Sequence, residues 1–258
     1  MASADRFPSF DLTGKIALVT GAGRGMGAHM ARSLAHCGAV LILLSRTRGE
    51  LERVAEEIRA MGRRALIQAV DLTRLDLLED VVARSEAELG PIDILVNNAG
   101  INFPQPAEDV TLEKWEQIHA INLKAPFFLS QAVGRRMIDR KRGKIIMISS
   151  QAGRVGIEGR SAYGATKAGI DQLTRNLAIE WAPYNIQVNA VAPTFVEGPF
   201  TAPMFKDPEF KRSVLDRIPL GRVAKPDDIS GAVVFLASGA SDMVTGSVLT
   251  VDGGWTAQ

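Results

Sequence analysis

Seven short apolar runs, near residues 15–20, 40–45, 65–70, 92–96, 143–149, 186–191 and 247–251, alternate with helical patterns near 25–37, 48–61, 74–89, 111–138, 161–181 and 226–237. A short apolar run bounded by polar residues reads as a strand buried on both faces. Parallel strands need long crossover connections, and helices supply them. The alternation therefore predicts one doubly wound α/β domain, a parallel sheet of about seven strands with helices on both faces and right-handed crossovers. In such sheets ligands sit outside the carboxyl ends of the strands. The pattern lapses in 193–220, a Pro- and Phe-rich stretch after the sixth run that reads as a lid. No linker or repeat divides the chain, so 1–258 reads as a single domain.

The first run, Lys15-Ile-Ala-Leu-Val-Thr20, leads directly into Gly21-Ala-Gly-Arg-Gly-Met-Gly27, followed by Met30, Leu34 and Cys37 at helical spacing. Strand, glycine turn and helix form the context of a dinucleotide-binding fingerprint. Glycines let the backbone approach a pyrophosphate, and the helix N-terminus offers amide donors and positive potential. The spacing differs from the commoner GxGxxG, and glycine turns also serve purely structural ends.

A second cluster is Ser149-Ser150 followed by Tyr163 and Lys167. On a helix, Tyr163 and Lys167 share one face. A phenol titrates near pH 10. A unit charge about 4 Å away, at an effective dielectric of about 20, is worth roughly 4 kcal/mol. That corresponds to about 3 pKa units, placing the phenol near neutrality, where acid–base catalysis is most efficient. The alternative is a surface Tyr and Lys on an amphipathic helix.

TGxxxGxG, Asn97-Asn98-Ala99-Gly100 after a strand, Asn122 in a helix, Ser150, and Tyr163-x3-Lys167 stand in the order and spacing of the short-chain dehydrogenase/reductase (SDR) family. From about residue 12 to the end the chain resembles that family. The resemblance implies a Rossmann-type fold, with the cofactor half in about 12–150 and the catalytic and substrate half in about 150–258. It implies Tyr163 as general acid for ketone reduction and general base for alcohol oxidation. Lys167 lowers the phenol's pKa and bonds the nicotinamide ribose. Ser150, thirteen residues before Tyr163, bonds the substrate oxygen, while strand alternation turns Ser149 to the sheet's other face. Asn122 holds a water linking Lys167 to solvent, or serves as a helix-kinking amide.

For the cofactor, the resemblance implies that Gly21, Arg24, Gly25, Met26 and Gly27 cradle the pyrophosphate and adenosine ribose. An acidic residue ending the second strand would repel a 2′-phosphate. The chain instead has Ser45-Arg46, with Arg24 and Arg48 nearby. A guanidinium grips phosphate bidentately, so NADP(H) is expected over NAD(H). The alternative for Arg46 is a solvated strand end. Asp71, followed by Leu72, contacts the adenine amino group or caps a helix from Arg74, or both. Asn98, Ala99 and Gly100 pack against the adenosine ribose. Pro193 and the Val196 backbone approach the carboxamide. The chain departs from the family at Thr194, usually Gly, and Gly198, usually a carboxamide-bonding Thr; Thr194 or Thr201 is the substitute.

The C-terminal pattern Asp207-Pro-Glu-Phe, Pro219-Leu-Gly-Arg222, Val234-Phe-Leu-Ala-Ser238 and Val251-Asp-Gly-Gly254 resembles the branch of gluconate 5-dehydrogenases and polyol or keto-sugar reductases. Much of it also occurs in 3-oxoacyl-acyl-carrier-protein reductases, the alternative reading. Besides Ser150 and Tyr163, Gln151, Asn102 and Arg154 are candidates to bind hydroxyls or a carboxylate, or are solvated loop residues. A cofactor-sensing or scaffold protein on the same fold is the non-enzyme alternative. The family also suggests a homotetramer, paired through the 111–138 and 161–181 helices and, separately, the C-terminal strand region.

With 46% hydrophobic residues and a net charge of +1, nothing invites nucleic acid or an anionic membrane. No run is long enough for a membrane span, and Met1 to Phe10 lack the pattern of a signal peptide. The single cysteine, Cys37, reads as core and suggests the reducing cytoplasm. His29, His36 and His119 show no metal-ligand spacing, so no metal site is expected.

Overall fold

β1 (Ile16–Thr20) lies third in a seven-stranded sheet that includes β2 (Val40–Ser45), β3 (Ala65–Ala69), β4 (Ile94–Asn97), β5 (Gly143–Ile148), β6 (Ile186–Pro193) and β7 (Val248–Val251). The structure is a computed structural model describing residues 7–258; the N-terminal leader reading falls partly on residues 1–6, outside the described residues. The strand order is β3-β2-β1-β4-β5-β6-β7, and every pairing is parallel. The chain winds outward from β1 to β3, then returns to place β4 against the other edge of β1. At that reversal adjacent crossovers diverge to opposite faces and leave a crevice.

Consecutive apolar residues are needed because both faces are covered. Ala17, Val19, Leu41 and Leu43 pack with Met30 and Leu34 of α1 (Gly25–His36), Leu51 and Val54 of α2 (Arg48–Ala60), and Ile229 and Val233 of α8 (Pro226–Ala237). Their neighbours Leu18, Ile42 and Leu44 face the opposite way. They meet Val81 of α3 (Leu78–Leu89), Leu129 and Val133 of α5 (Ala125–Arg140), and Ile170 and Leu177 of α6 (Ser161–Trp181). A third cluster of Phe195, Val214, Ile218 and Trp255 joins the segment after β6 to the C-terminus. Cys37 is half-buried against the first core. Among the described residues, no helix is long and apolar enough to cross a membrane.

Three elements differ from the expected pattern. The single helix expected over 111–138 is α4 (Leu112–His119), a π-helical turn at Ala120–Lys124, and then α5. Apolar periodicity persists through such a turn, so sequence does not reveal it. The segment from Arg74 opens with a 3-10 turn, Leu75–Leu77, before α3 begins. The 193–220 stretch holds α7 (Pro208–Leu215), whose Asp207 cap accepts from the amides of Glu209 and Phe210, with Pro208 as first helical residue. Asp-Pro-Glu is a helix-start signal that the surrounding Pro-rich sequence obscures.

Candidate active site

The reversal point brings together the ends of β1 and β4. Thr20 Oγ1 accepts from the amides of Asn98 and Ala99 at 2.9 and 3.0 Å, and Asn98 Nδ2 donates to the Thr20 carbonyl at 2.9 Å. Gly21, at φ +64, turns the chain out of β1. A Cβ at Gly27 would lie 2.2 Å from the Gly21 carbonyl oxygen, so α1 reaches the turn only as glycine. Arg24 stands exposed above the loop, 3.7 Å from Glu50.

At the end of β2, Ser45 Oγ is buried with no hydrogen-bond partner. Arg46 beside it is exposed. Burial pushes the Asp71 carboxyl up, but hydrogen bonds from Thr73 and the nearby charges of Arg46 and Arg74 leave it below the usual range. Asp71 therefore caps its own turn through the Thr73 amide and hydroxyl, at 2.9 and 2.8 Å, and not the helix expected from Arg74. Leu72 is buried in the core. A glycine loop at a helix N-terminus, an orphaned hydroxyl and an exposed guanidinium fit a phosphorylated dinucleotide. Met26 is half-buried against the first core.

Ser150, Tyr163 and Lys167 converge over the ends of β4 and β5. Ser150, at the exit of β5, accepts from the Ala152 amide at 3.2 Å and lies close enough to the Tyr163 phenol to oppose its rise in pKa. Lys167 Nζ donates to the carbonyl of Ile148, the last residue of β5, at 2.7 Å, and lies 5.6 Å from the Tyr163 ring centroid. Asn122 sits in the π-helical turn, where its amide accepts from Ile101 N and donates to Ile101 O, both at 2.9 Å, and donates to Thr166 Oγ1. A Cβ on Gly100 would lie 3.4 Å from Asn122 Oδ1 and 3.8 Å from Lys167 Nζ, which puts all three in one corner.

One expectation needs correction. The Tyr163 phenol is pushed up by burial, which outweighs the lowering effects of Ser150 and of the Arg160 charge. The Lys167 ammonium lies over the phenol ring but is bonded to the Ile148 carbonyl. Ser149 follows Met147 onto the α6 side of the sheet, where its hydroxyl donates to the Lys167 carbonyl at 3.3 Å.

Pro193 ends β6, opposite Val251. Val196 bridges Ala224, and its carbonyl accepts from Thr201 Oγ1 at 2.5 Å. Thr201 is thus committed to its own turn, whereas Thr194 Oγ1 is buried and unpartnered. Gln151 Oε1 and both amide atoms of Asn102 are also buried without partners. Arg154 is drawn instead to Asp171, at 3.6 Å. Asp171 continues the Tyr163–Lys167 face by one more turn, and burial pushes its carboxyl up. Its place is visible in the sequence as i, i+4, i+8; its burial is not. Arg160, three residues before Tyr163, carries no motif and reaches the same corner.

Burial drives the Lys167 ammonium down from 10.5 to about 8, against the raising effect of Asp171. A lysine less basic when folded destabilises the fold fully below pH 8, and the penalty fades as pH rises through 8 to 10.5. The ceiling is on the order of 3 kcal/mol. Urea denaturation without cofactor should show wild type gaining stability on Lys167→Met over that window. Parallel pH curves would show that the ammonium is not buried.

Residues 21–256 match the family described as Enoyl-(Acyl carrier protein) reductase. The chain is 40% identical over 247 residues to the gluconate 5-dehydrogenase of Gluconobacter oxydans (strain 621H), covering 96% of both. It is 42% identical over 247 residues to the 2-dehydro-3-deoxy-D-gluconate 5-dehydrogenase of Bacillus subtilis (strain 168), covering 96% of both. The solved structure of a gluconate 5-dehydrogenase from Burkholderia cenocepacia J2315, in complex with NADP and tartrate, superposes with a TM-score of 0.94. It is 37% identical and covers 97% of this chain and 98% of that one. The matches span the sheet and the converged Ser150, Tyr163 and Lys167 alike, and the chain belongs to the short-chain dehydrogenase/reductase family of NAD(P)-dependent oxidoreductases.

Proposed function

We propose that this enzyme interconverts a secondary alcohol and a ketone on a sugar acid, keto-sugar or polyol, preferring NADP(H). The observation carrying the reading is the approach of Ser150 to Tyr163 beside buried Lys167 at the strand ends. Bound NADP(H) supplies or accepts the hydride. In reduction the Tyr163 hydroxyl gives its proton to the substrate oxygen, and in oxidation the phenolate takes it back. Ser150 donates to that oxygen as charge develops on it. Lys167 holds the ribose hydroxyls and, with its charge brought close, opposes the burial that raises the phenol. Asn122 anchors the loop at Ile101 and holds the water linking Lys167 to solvent.

Gly21, Arg24, Gly25, Met26 and Gly27 hold the pyrophosphate end, with Asp71, Leu72, Asn98, Ala99 and Gly100 around the adenosine. Pro193, Val196 and the unpartnered Thr194 hydroxyl serve the carboxamide. Residues 12–150 form the cofactor half and 150–258 the catalytic half, with 193–220 as lid. Ser45 and Arg46 take the 2′-phosphate. The NADP-bound relative supports the preference. The substrate class rests on the gluconate dehydrogenases and on the tartrate in that relative. Unpartnered polar atoms on Gln151 and Asn102 suit a hydroxylated substrate.

The chain forms a homotetramer in this reading. Exposed Leu112, Trp115, Phe128 and Ile179 on α4, α5 and α6 support pairing of those helices. Sedimentation giving only monomer at micromolar concentration would overturn it.

Absorbance at 340 nm against gluconate, 5-ketogluconate, polyols and an acetoacetyl thioester tests the substrate class. Turnover with the thioester alone moves the enzyme to acyl-chain reduction. Tyr163→Phe should keep cofactor affinity and lose at least about 100-fold in kcat; unchanged turnover excludes the mechanism. Arg46→Ala should raise the KM for NADPH about 10- to 100-fold, as loss of a charged hydrogen bond predicts, and leave NADH unchanged. Equal effects on both cofactors would place Arg46 in solvent.

A further inference from the structure

Arg160 is the N-cap residue of α6 and only 8% exposed. A guanidinium has five donors, and long charged side chains are rarely buried without a partner. The hydrogen bond made by this one runs from Nη2 to the thioether of Met204, 3.0 Å away, a weak acceptor. Its other neighbour is the Phe195 ring, 6.0 Å from the centroid. Among the described residues no carboxylate acts on it; burial lowers its basicity, and the Tyr163 phenol is the group that opposes this. It also stands at the positive end of a 21-residue helix, where cations are disfavoured. A buried cation so placed lacks an anion.

A second observation points to the same spot. Arg160, Asn102 and Tyr163 line one small cavity, and both polar atoms of the Asn102 amide are buried there without partners. The group missing from this corner accepts from a guanidinium and exchanges hydrogen bonds with an amide, one helical turn from the catalytic hydroxyl.

We propose that Arg160 is the receptor for the substrate's carboxylate and that Asn102 beside it reads a neighbouring hydroxyl. The inference rests on the sugar-acid reading above and names the residue that enforces it. A carboxylate accepts two parallel N–H bonds from the guanidinium and displaces the Met204 sulfur. The cavity, about 10 Å³, holds no more than about one water. Entry of a sugar acid therefore moves the segment bearing Phe195 and Met204 outward, and Arg160 couples lid position to the presence of the anion. Neutral polyols and ketoses of equal length leave the guanidinium unpaired and are the poorer substrates.

Steady-state kinetics with NADP on Arg160→Gln and Arg160→Lys, using gluconate and a neutral polyol, tests the assignment. Arg160→Gln should lose about 10- to 100-fold in kcat/KM on gluconate, chiefly through KM, and less than about 3-fold on the polyol. Arg160→Lys should recover part of the loss. Equal loss on both substrates, with a lowered Tm, makes Arg160 a packing residue and overturns the proposal; undiminished gluconate kinetics overturns it as well. Calorimetric titration of tartrate into the NADP complexes of Tyr163→Phe and of Tyr163→Phe/Arg160→Gln keeps the two readings apart. If wild type oxidises no sugar acid, the substrate reading fails. Tartrate bound by Tyr163→Phe and lost in the double variant still sustains the anion site, and no binding to either overturns it.

Discussion

Lys167 anchors α6 to the sheet through a buried ammonium bonded to the last carbonyl of β5. Taking an ammonium out of water is expensive, and one carbonyl acceptor compensates only in part. That imbalance is visible in its lowered basicity. The geometry it secures is what the site requires. With Lys167 over Ile148, the first turn of α6 lies across the exit of β5, and Tyr163 meets Ser150 there. The Ser149 hydroxyl, bonded to the Lys167 carbonyl, makes a second stitch between the same two elements. The loop between them packs so closely that a Cβ on Gly153 would lie 2.7 Å from the Lys167 carbonyl carbon. Glycine permits that approach because it carries no Cβ.

The sheet order gives the other half of the site. Because β4 returns beside β1, the glycine turn and the Asn98–Gly100 segment end side by side, joined by Thr20 and Asn98. A cofactor entering at the glycine turn lies along the strand ends toward Ser150 and Tyr163. The two halves of the sequence thus contribute to one crevice, with neither forming it alone. The unpartnered hydroxyls of Ser45 and Thr194 stand at opposite ends of that path, on β2 and just beyond β6. Cationic groups also stand along it, Arg24 and Arg46 near the glycine turn and Lys167 and Arg160 near Tyr163. They suit a polyanionic cofactor and an acidic substrate.

The sequence by itself determined the layers. Buried parallel strands must be apolar on consecutive positions and must alternate with crossover helices, so their number and order along the chain were legible without coordinates. It also placed Tyr163 and Lys167 together, since they share a helix and spacing fixes their common face. That Ser45-Arg46, and no acidic residue, ends the second strand was readable as well. Tertiary structure decided what depends on surroundings. Which way the Lys167 ammonium points depends on where β5 ends, and the phenol's basicity on how deeply α6 is buried; neither has a local signal. The π-helical turn around Asn122 leaves apolar periodicity undisturbed. Arg160 is an ordinary arginine in sequence, and only the packing of the lid against α6 makes it a buried cation without an anion. Desolvation and long-range contacts set charge and direction, and they exist only once distant segments meet.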